Sequence, residues 1–313
     1  MKPLSKRGAT VRAACGTTMW GVGGVLANLL FMHTAASPAW LVSMRLTWAG
    51  ILLLGFGAAT HQPLWRVWQT PAKAIRLIVF GVVGVALAQL TYLLAIQTGN
   101  AAIATIMLSL VPMIITGVVC LRQWHLPRRS DAIAIGIALI GVVLLVTGGH
   151  LTQLQVPPAA IGWGALGAVT GAAYTMVPRP LVATEPPLVV VGWGLVIGAV
   201  LMNVVAPVWR IPAGIQPWGW AAIAFIVLGA TLIAYILYVT SLTVLAPASA
   251  AMIENLEPLT ATLLSILFLA LGFHRLQLLG IALVLGGIAL MNWTPQPHRH
   301  RVRASQAAAH HIS

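Results

Sequence analysis

Apolar stretches of about 20 residues follow one another along almost the whole chain, and each is long enough to cross a bilayer as a helix. They fall at 13–32, 38–59, 75–97, 101–121, 131–148, 159–178, 188–206, 218–241, 246–271 and 276–293. Only 7% of the 313 residues are charged, whereas soluble domains carry about 25%, because a surface in water must be solvated. The sequence therefore predicts an all-α membrane protein with about ten transmembrane helices.

The net charge of +13 comes from basic residues in the connectors between the apolar stretches. A basic balance can indicate nucleic-acid binding, but no basic patch with interleaved aromatic residues is present. With ten helices, most of the basic residues fall on one side: Lys2, Lys6, Arg7, Arg12, Arg66, Lys73, Arg76, Arg122, Arg128, Arg129, Arg179, Arg299, Arg301 and Arg303. The positive-inside rule then predicts a multi-pass plasma-membrane protein with both termini in the cytoplasm. Because no basic patch with interleaved aromatic residues is present, we expect no nucleic-acid partner.

Matching motifs in the two halves indicate an internal duplication. The motif SLVP ends at Pro112 and is followed 24 residues later by GIAL at Gly136, while NLEP ends at Pro258 and is followed 22 residues later by GIAL at Gly280. A tyrosine stands 20 residues before each proline. Because five helices is an odd number, the second copy must enter the membrane upside down, as in many secondary transporters.

The duplication divides the chain into three parts. Residues 1–148 form a first five-helix repeat with a basic cytoplasmic N-terminus, and residues 149–294 form the inverted second repeat. Residues 295–313 form a basic, His-rich cytoplasmic tail, which we expect to lie at the anionic inner leaflet.

The sequence resembles the EamA-type branch of the drug/metabolite transporter superfamily over nearly its whole length. The resemblance is carried by Trp20-Gly21, by Arg45 with Ala49, by YLLAIQTGNAAIATIMLSLVP from Tyr92 to Pro112, and by APASAAMIENLEPLTATLLSILFL in the second half. It implies a transporter of small metabolites such as amino acids, amines or nucleosides. The family's Glu at the membrane exit of the fourth helix of each half is missing here, in CLRQWHLPRRSDAIAIG and LALGFHRLQLLG.

Ionisable residues inside a bilayer are costly, so Arg45, Glu254 and Glu257 are functional candidates. The two acids are three residues apart and share a helix face with Pro258, which frees a backbone carbonyl near that face. Either acid can bind a cationic or zwitterionic cargo or carry a coupling proton. The alternatives are an acid that faces water near the helix end and an ion pair with Arg45.

Arg45 also has two interpretations. It can snorkel to the outer interface, since it lies only a few residues into its segment, or it can anchor a substrate carboxylate. We expect the rest of the binding site to include the polar and aromatic residues Trp20, Gln89, Tyr92 and Tyr238, next to the helix-breaking residues Pro112 and Pro258. The alternative for most of these polar residues is hydrogen bonding between helices.

No catalytic, metal or cofactor motif is present: Cys15 and Cys120 have no ligand spacing, and no phosphate-binding loop occurs. The sequence therefore predicts a non-enzymatic secondary transporter that moves an amino acid or related metabolite, by export, through alternating access. Two alternatives are an intramembrane enzyme on a lipid-linked substrate and a non-transporting sensor or assembly subunit. Proton coupling and a homodimer through small-residue patterns stay open.

Overall fold

The protein is known from a computed structural model that describes residues 5–124, 126–150, 154–241, 244–245 and 247–293. Throughout these ranges the regular elements are helices, with no strand. The first half contains α1 Lys6–His33, α2 Pro38–Ala59, α3 Pro71–Thr98, α4 Ala101–Gln123 and α5 Arg129–Thr147. The predicted tail, 295–313, lies outside the described residues.

The second half repeats this order. It contains α6 Pro158–Met176, α7 Pro187–Val205, α8 (Pro217–Ala224, Phe225–Ile233 and Ala234–Ser241), α9 (Pro247–Glu254 and Leu256–Leu269) and α10 Arg275–Trp293. Within the described residues, nine helices are long and apolar enough to cross a membrane, and the tenth is apolar over Arg275–Met291. The prediction of about ten transmembrane helices is confirmed.

The first helix begins earlier than its apolar stretch. It starts at Lys6, where the Ser5 side chain accepts a hydrogen bond from the Gly8 amide at 3.1 Å and caps the helix. The basic residues Lys6, Arg7 and Arg12 therefore lie on the first turns of α1 rather than in a preceding tail. We call the face of the molecule at which α1 begins the basic face, and the other the opposite face.

Helices α4 and α9 are interrupted at equivalent places. In α4 the segments are Ala101–Leu108 and Val111–Gln123, and in α9 they are Pro247–Glu254 and Leu256–Leu269. Each break lies just before a proline, Pro112 or Pro258, which has no amide hydrogen to donate to the preceding turn. The predicted shared face of Glu254 and Glu257 is thus not on one continuous helix, because Asn255 separates the two segments.

Wide helical turns occupy matching positions in α3 and α8. Phe80–Leu87 and Phe225–Ile233 are both π-helical, and each begins at a phenylalanine about 30 residues before the proline of the next helix. Wide turns of this kind are rare, so their recurrence supports the duplication that the motifs indicated.

The two halves are interlocked rather than side by side. Helix α1 packs against α8 and α9 of the second half, and α6 packs in the same way against α3 and α4 of the first. Helix α2 pairs with α7, and α5 pairs with α10. This arrangement places the interrupted and wide-turn helices around the centre of the molecule.

Candidate functional site

A central cavity of about 540 Å³ lies between the two halves. Its size is within the range of about 300–1,000 Å³ that is usual for small-molecule sites. All nine residues that the sequence analysis selected for the site line it: Trp20, Arg45, Gln89, Tyr92, Pro112, Tyr238, Glu254, Glu257 and Pro258. The structure therefore brings the candidates together, while their part in binding or coupling stays a prediction.

Arg45 points into the central cavity. Its Nε donates to Oγ1 of Thr231 at 2.6 Å, and its Nη1 donates to Oε1 of Gln89 at 3.0 Å. Arg45 is seven residues from the start of α2, a depth of about 10 Å at the rise of an α-helix. The guanidinium is thus turned toward two neighbouring helices instead of the helix end, where a snorkelling side chain reaches the interface.

The partners of Arg45 are uncharged. Across the described part of the chain, the only ion pairs within 4.0 Å are those of Glu185 with Arg66 and with Lys73, so neither Glu254 nor Glu257 forms one with Arg45. Guanidinium has five N–H donors, so the hydrogen bonds to Thr231 and Gln89 leave donors unused, and Glu257 is near enough to attract the charge without forming an ion pair with it. A carboxylate is the group that matches this fork.

Tyr92 places a second polar group in the cavity wall. The residue is 9% exposed, and its hydroxyl has no hydrogen-bond partner among the described atoms. The hydroxyl lies against α1, because a β-carbon on Gly24 would stand 2.7 Å from it. Leaving a buried hydroxyl unpaired costs about 1–3 kcal/mol, and a solute that accepts a hydrogen bond from this hydroxyl, once the side chain turns toward the cavity, removes that cost.

The two acids lie nearer the basic face. Glu254 is exposed at the end of the first segment of α9, and its Oε1 accepts a hydrogen bond from the Tyr238 hydroxyl. The Trp20 ring stands 5.3 Å from the Tyr238 ring at an angle of 52°. Glu257 is half-buried in the following segment. Two carboxylates and two aromatic rings therefore share this end of the central cavity.

The central cavity reaches the basic face and is closed at the opposite face. Its lining extends to Val182, which follows α6 on the basic side, and to Glu254 at the end of the first segment of α9, and both residues are exposed. On the other side, Ala101–Leu108 packs against Leu256–Leu269, and the Ala101 amide donates to Oδ1 of Asn28 at 3.0 Å.

Thr231 was not selected from the sequence. It lies in the wide turn of α8, where its hydroxyl donates to the Ile226 carbonyl, five residues back, at 2.8 Å. This bond fixes the hydroxyl so that its oxygen accepts from Arg45. Threonine in an apolar helix is common and gives no signal by itself, and only a predicted wide turn would have marked it.

Groups of three or more His, Cys, Asp or Glu side chains that could hold a metal ion do not occur in the described ranges. The histidines of the tail, His298, His300, His310 and His311, fall outside those ranges. The expectation that the site holds no metal or cofactor stays a prediction.

Curated relatives cover almost the whole chain. An uncharacterized inner membrane transporter of Salmonella typhimurium, YicL, is 30% identical over 301 residues, which are 96% of this chain and 99% of that protein. An uncharacterized transporter of Bacillus subtilis, YwfM, is 27% identical over 287 residues, which are 90% of this chain and 92% of that protein.

Two further comparisons agree with these relatives. A solved chain described only as a crystal structure of a protein matches with a TM-score of 0.64 over 92% of this chain and 97% of that one, and its 20% identity makes it evidence for the fold alone. The model of the EamA-like transporter family matches residues 9–147 and 158–293, one match to each half. The chain therefore belongs to the EamA-like transporter family.

Proposed function

We propose that the protein is a secondary transporter that exports a small zwitterionic metabolite, such as an amino acid, by alternating access. The observation that carries this proposal is the charge arrangement of the central cavity. A guanidinium with uncharged partners lies deep in it, and two carboxylates lie toward its mouth. A cargo with one negative and one positive group satisfies both ends at once.

The deep end is suited to a carboxylate. Arg45 is held by Thr231 and Gln89, so its remaining N–H groups need little reorganisation to bind an oxyanion. Tyr92 lines the same cavity, and its unpaired hydroxyl is buried against α1 in this state. A cargo carboxylate that accepts hydrogen bonds from Arg45, and from Tyr92 once that side chain turns toward the cavity, replaces the hydrogen bonds to water that it loses on entering.

The mouth is suited to an ammonium group. Glu254 and Glu257 supply negative charge, and the rings of Trp20 and Tyr238 supply faces that attract cations. Because the two acids lie on consecutive segments of α9, a cation can be passed from one to the other during loading.

The asymmetry between the halves supports alternating access. At the opposite face, Ala101–Leu108 packs against Leu256–Leu269. Their repeat counterparts are Pro247–Glu254 and Val111–Gln123, and the described residues of that pair do not pack against each other in this way. If the two inverted halves exchange these conformations, the basic face closes and the opposite face opens.

The distribution of basic residues supports an orientation with the basic face in the cytoplasm. Arg66, Lys73, Arg122 and Arg179 lie at the basic face, and the positive-inside rule assigns such a face to the cytoplasm of a plasma-membrane protein. The described state then opens its cavity to the cytoplasm, where cargo for export is loaded.

Counterflow in proteoliposomes tests the proposal. Vesicles preloaded with one unlabelled amino acid at a time should accumulate the same labelled amino acid through the wild type. The Arg45→Gln variant should lose this exchange, and Thr98→Ala, which changes a polar residue that lies outside the central cavity and bonds, among the described residues, only within its own helix, should keep it. Exchange of only cationic amines, with Arg45→Gln as active as the wild type, would overturn the zwitterion assignment.

A further inference from the structure

Glu185 is a buried acid outside the central cavity that joins the two halves at the basic face. It lies between α6 and α7, and its carboxylate has no exposed surface. Oε2 is 3.0 Å from Nε of Arg66, and Oε1 is 2.6 Å from Nζ of Lys73. Arg66 also donates to the Thr184 carbonyl. Each contact runs from the first half to the second.

The carboxylate of Glu185 is held in its charged form. Burial opposes ionisation, but the hydrogen bond from Lys73 and the positive charge of Arg66 outweigh it, and the pKa of Glu185 lies below its ordinary value of 4.5. At neutral pH all three charges are therefore present. Removing the acid would leave two cations together without an anion.

Three tryptophans extend this contact. Trp193 of α7 has its ring centroid 5.0 Å from that of Trp65 and 5.2 Å from that of Trp68, both in the α2–α3 loop. Its Nε1 donates to the Leu64 carbonyl at 2.8 Å. We call Glu185, Arg66, Lys73 and Trp193 the inter-half tie.

Helices α2 and α7 remain in contact up to the opposite face. A β-carbon on Gly192 would stand 2.6 Å from Cδ2 of Leu54, so the two helices touch near the basic face. Toward the opposite face, Asn203 donates to Oγ1 of Thr47 at 2.9 Å, and Trp40 donates to the Val208 carbonyl at 3.4 Å.

We infer that the inter-half tie is permanent and that α2, the α2–α3 loop, the first turn of α3 with Lys73, and α7 move as one rigid frame, against which the remaining helices alternate. The inference rests on the proposed alternating access, and it replaces a rocking motion of one sequence half against the other. A rocking motion would part α2 from α7 at one face in each state, whereas both faces carry polar contacts between them.

Disulfides at each end of the frame test this directly. In a background of Cys15→Ala and Cys120→Ala, one variant carries Gly57→Cys with Leu188→Cys near the basic face, where a β-carbon at 57 would stand 3.0 Å from the Leu188 side chain. A second carries Thr47→Cys with Asn203→Cys, at two positions whose side chains are 2.9 Å apart and where Asn203 lies near the end of α7 at the opposite face. Gly55→Cys with Leu188→Cys is the control, because a β-carbon at 55 has no neighbour within 4 Å.

Both oxidised pairs should keep at least half of the counterflow rate of their reduced forms, and the control should form no cross-link. Arrest by either cross-link, reversed by reduction, would overturn the inference.

If no solute is exchanged at all, the proposed function fails, and hydrogen–deuterium exchange tests the inter-half tie instead. A permanent tie predicts slow exchange of the amides between residues 62 and 70 in the wild type and at least tenfold faster exchange in Glu185→Gln. Fast exchange in the wild type would contradict it.

Discussion

Arg45 Nε donates to Oγ1 of Thr231 at 2.6 Å and joins the second helix of one half to the wide turn of α8 in the other. The Thr231 hydroxyl is itself fixed by the Ile226 carbonyl at 2.8 Å. The guanidinium is therefore oriented before any cargo arrives. Preorganisation of this kind lowers the entropic cost of binding, because the side chain is already ordered.

Replacing Arg45 by lysine should weaken cargo binding even though the charge is kept. An ammonium group cannot reproduce the planar fork that reaches Thr231, Gln89 and a carboxylate together. A hydrogen bond to a charged group is worth about 1.5–3 kcal/mol, so the half-saturating cargo concentration should rise about 10- to 100-fold. Concentration-dependent counterflow measures this, and an unchanged value for Arg45→Lys would show that only charge is needed.

The tyrosines Tyr92 and Tyr238 should respond differently to removal of their hydroxyls. Tyr92→Phe removes a hydroxyl that has no hydrogen-bond partner among the described atoms, so the thermal midpoint of the empty protein should stay the same or rise. Cargo binding should weaken by about 1 kcal/mol. Tyr238→Phe removes the donor to Glu254, so its thermal midpoint should fall. Thermal shift in detergent, with and without cargo, separates the two. Equal loss of stability in both variants would contradict this assignment.

Glu254→Gln should abolish or strongly alter transport while expression survives. The change keeps the shape of the side chain and removes the negative charge at the mouth of the central cavity. Transport by this variant should be compared with transport by Glu257→Gln, because Glu257 is half-buried whereas Glu254 is exposed. Unchanged transport and an unchanged pH profile for Glu254→Gln would remove this acid from the mechanism.

The sequence predicted the helices, the duplication and the lining residues well, since each leaves a local pattern. Apolar stretches mark spans, and charged or aromatic residues within them mark the cavity, because a bilayer makes such residues costly. Pro112 and Pro258 marked the interrupted helices for the same local reason.

Long-range partners could not be predicted in this way. The bond between Arg45 and Thr231 spans 186 positions, and that between Arg66 and Glu185 spans 119. Neither separation leaves a period or a spacing in the sequence. Glu185 lies in a connector, where an acid usually faces water, and only the folded chain brings two cations to it.

Acid should destabilise the protein partly through Glu185. Burial alone would raise the pKa of Glu185, but Lys73 and Arg66 outweigh it and lower the pKa in the folded state. The stabilising contribution of the carboxylate is therefore complete at pH values well above the ordinary pKa of 4.5. The contribution falls as pH drops below 4.5 and is lost below the folded pKa. Thermal midpoints in detergent from pH 7 to pH 3 should fall less steeply for Glu185→Gln than for the wild type. Asp131→Asn is the matched control, and parallel curves for Glu185→Gln and the wild type would contradict the prediction.

Two glycines of α5 should respond in opposite ways to alanine. A β-carbon on Gly141 would stand 2.6 Å from the Gly280 carbonyl oxygen and 2.8 Å from the Val284 amide nitrogen, both backbone atoms of α10 that cannot rotate away. Gly141→Ala must therefore separate α5 from α10, at a cost of about 1–3 kcal/mol. Gly136 has no neighbour within 4 Å, so Gly136→Ala should gain up to about 1 kcal/mol from helix propensity. Both glycines lie in α5, so the difference between the thermal midpoints of the two variants measures the effect of the contact with α10. Equal midpoints would show that α5 and α10 are not packed this closely.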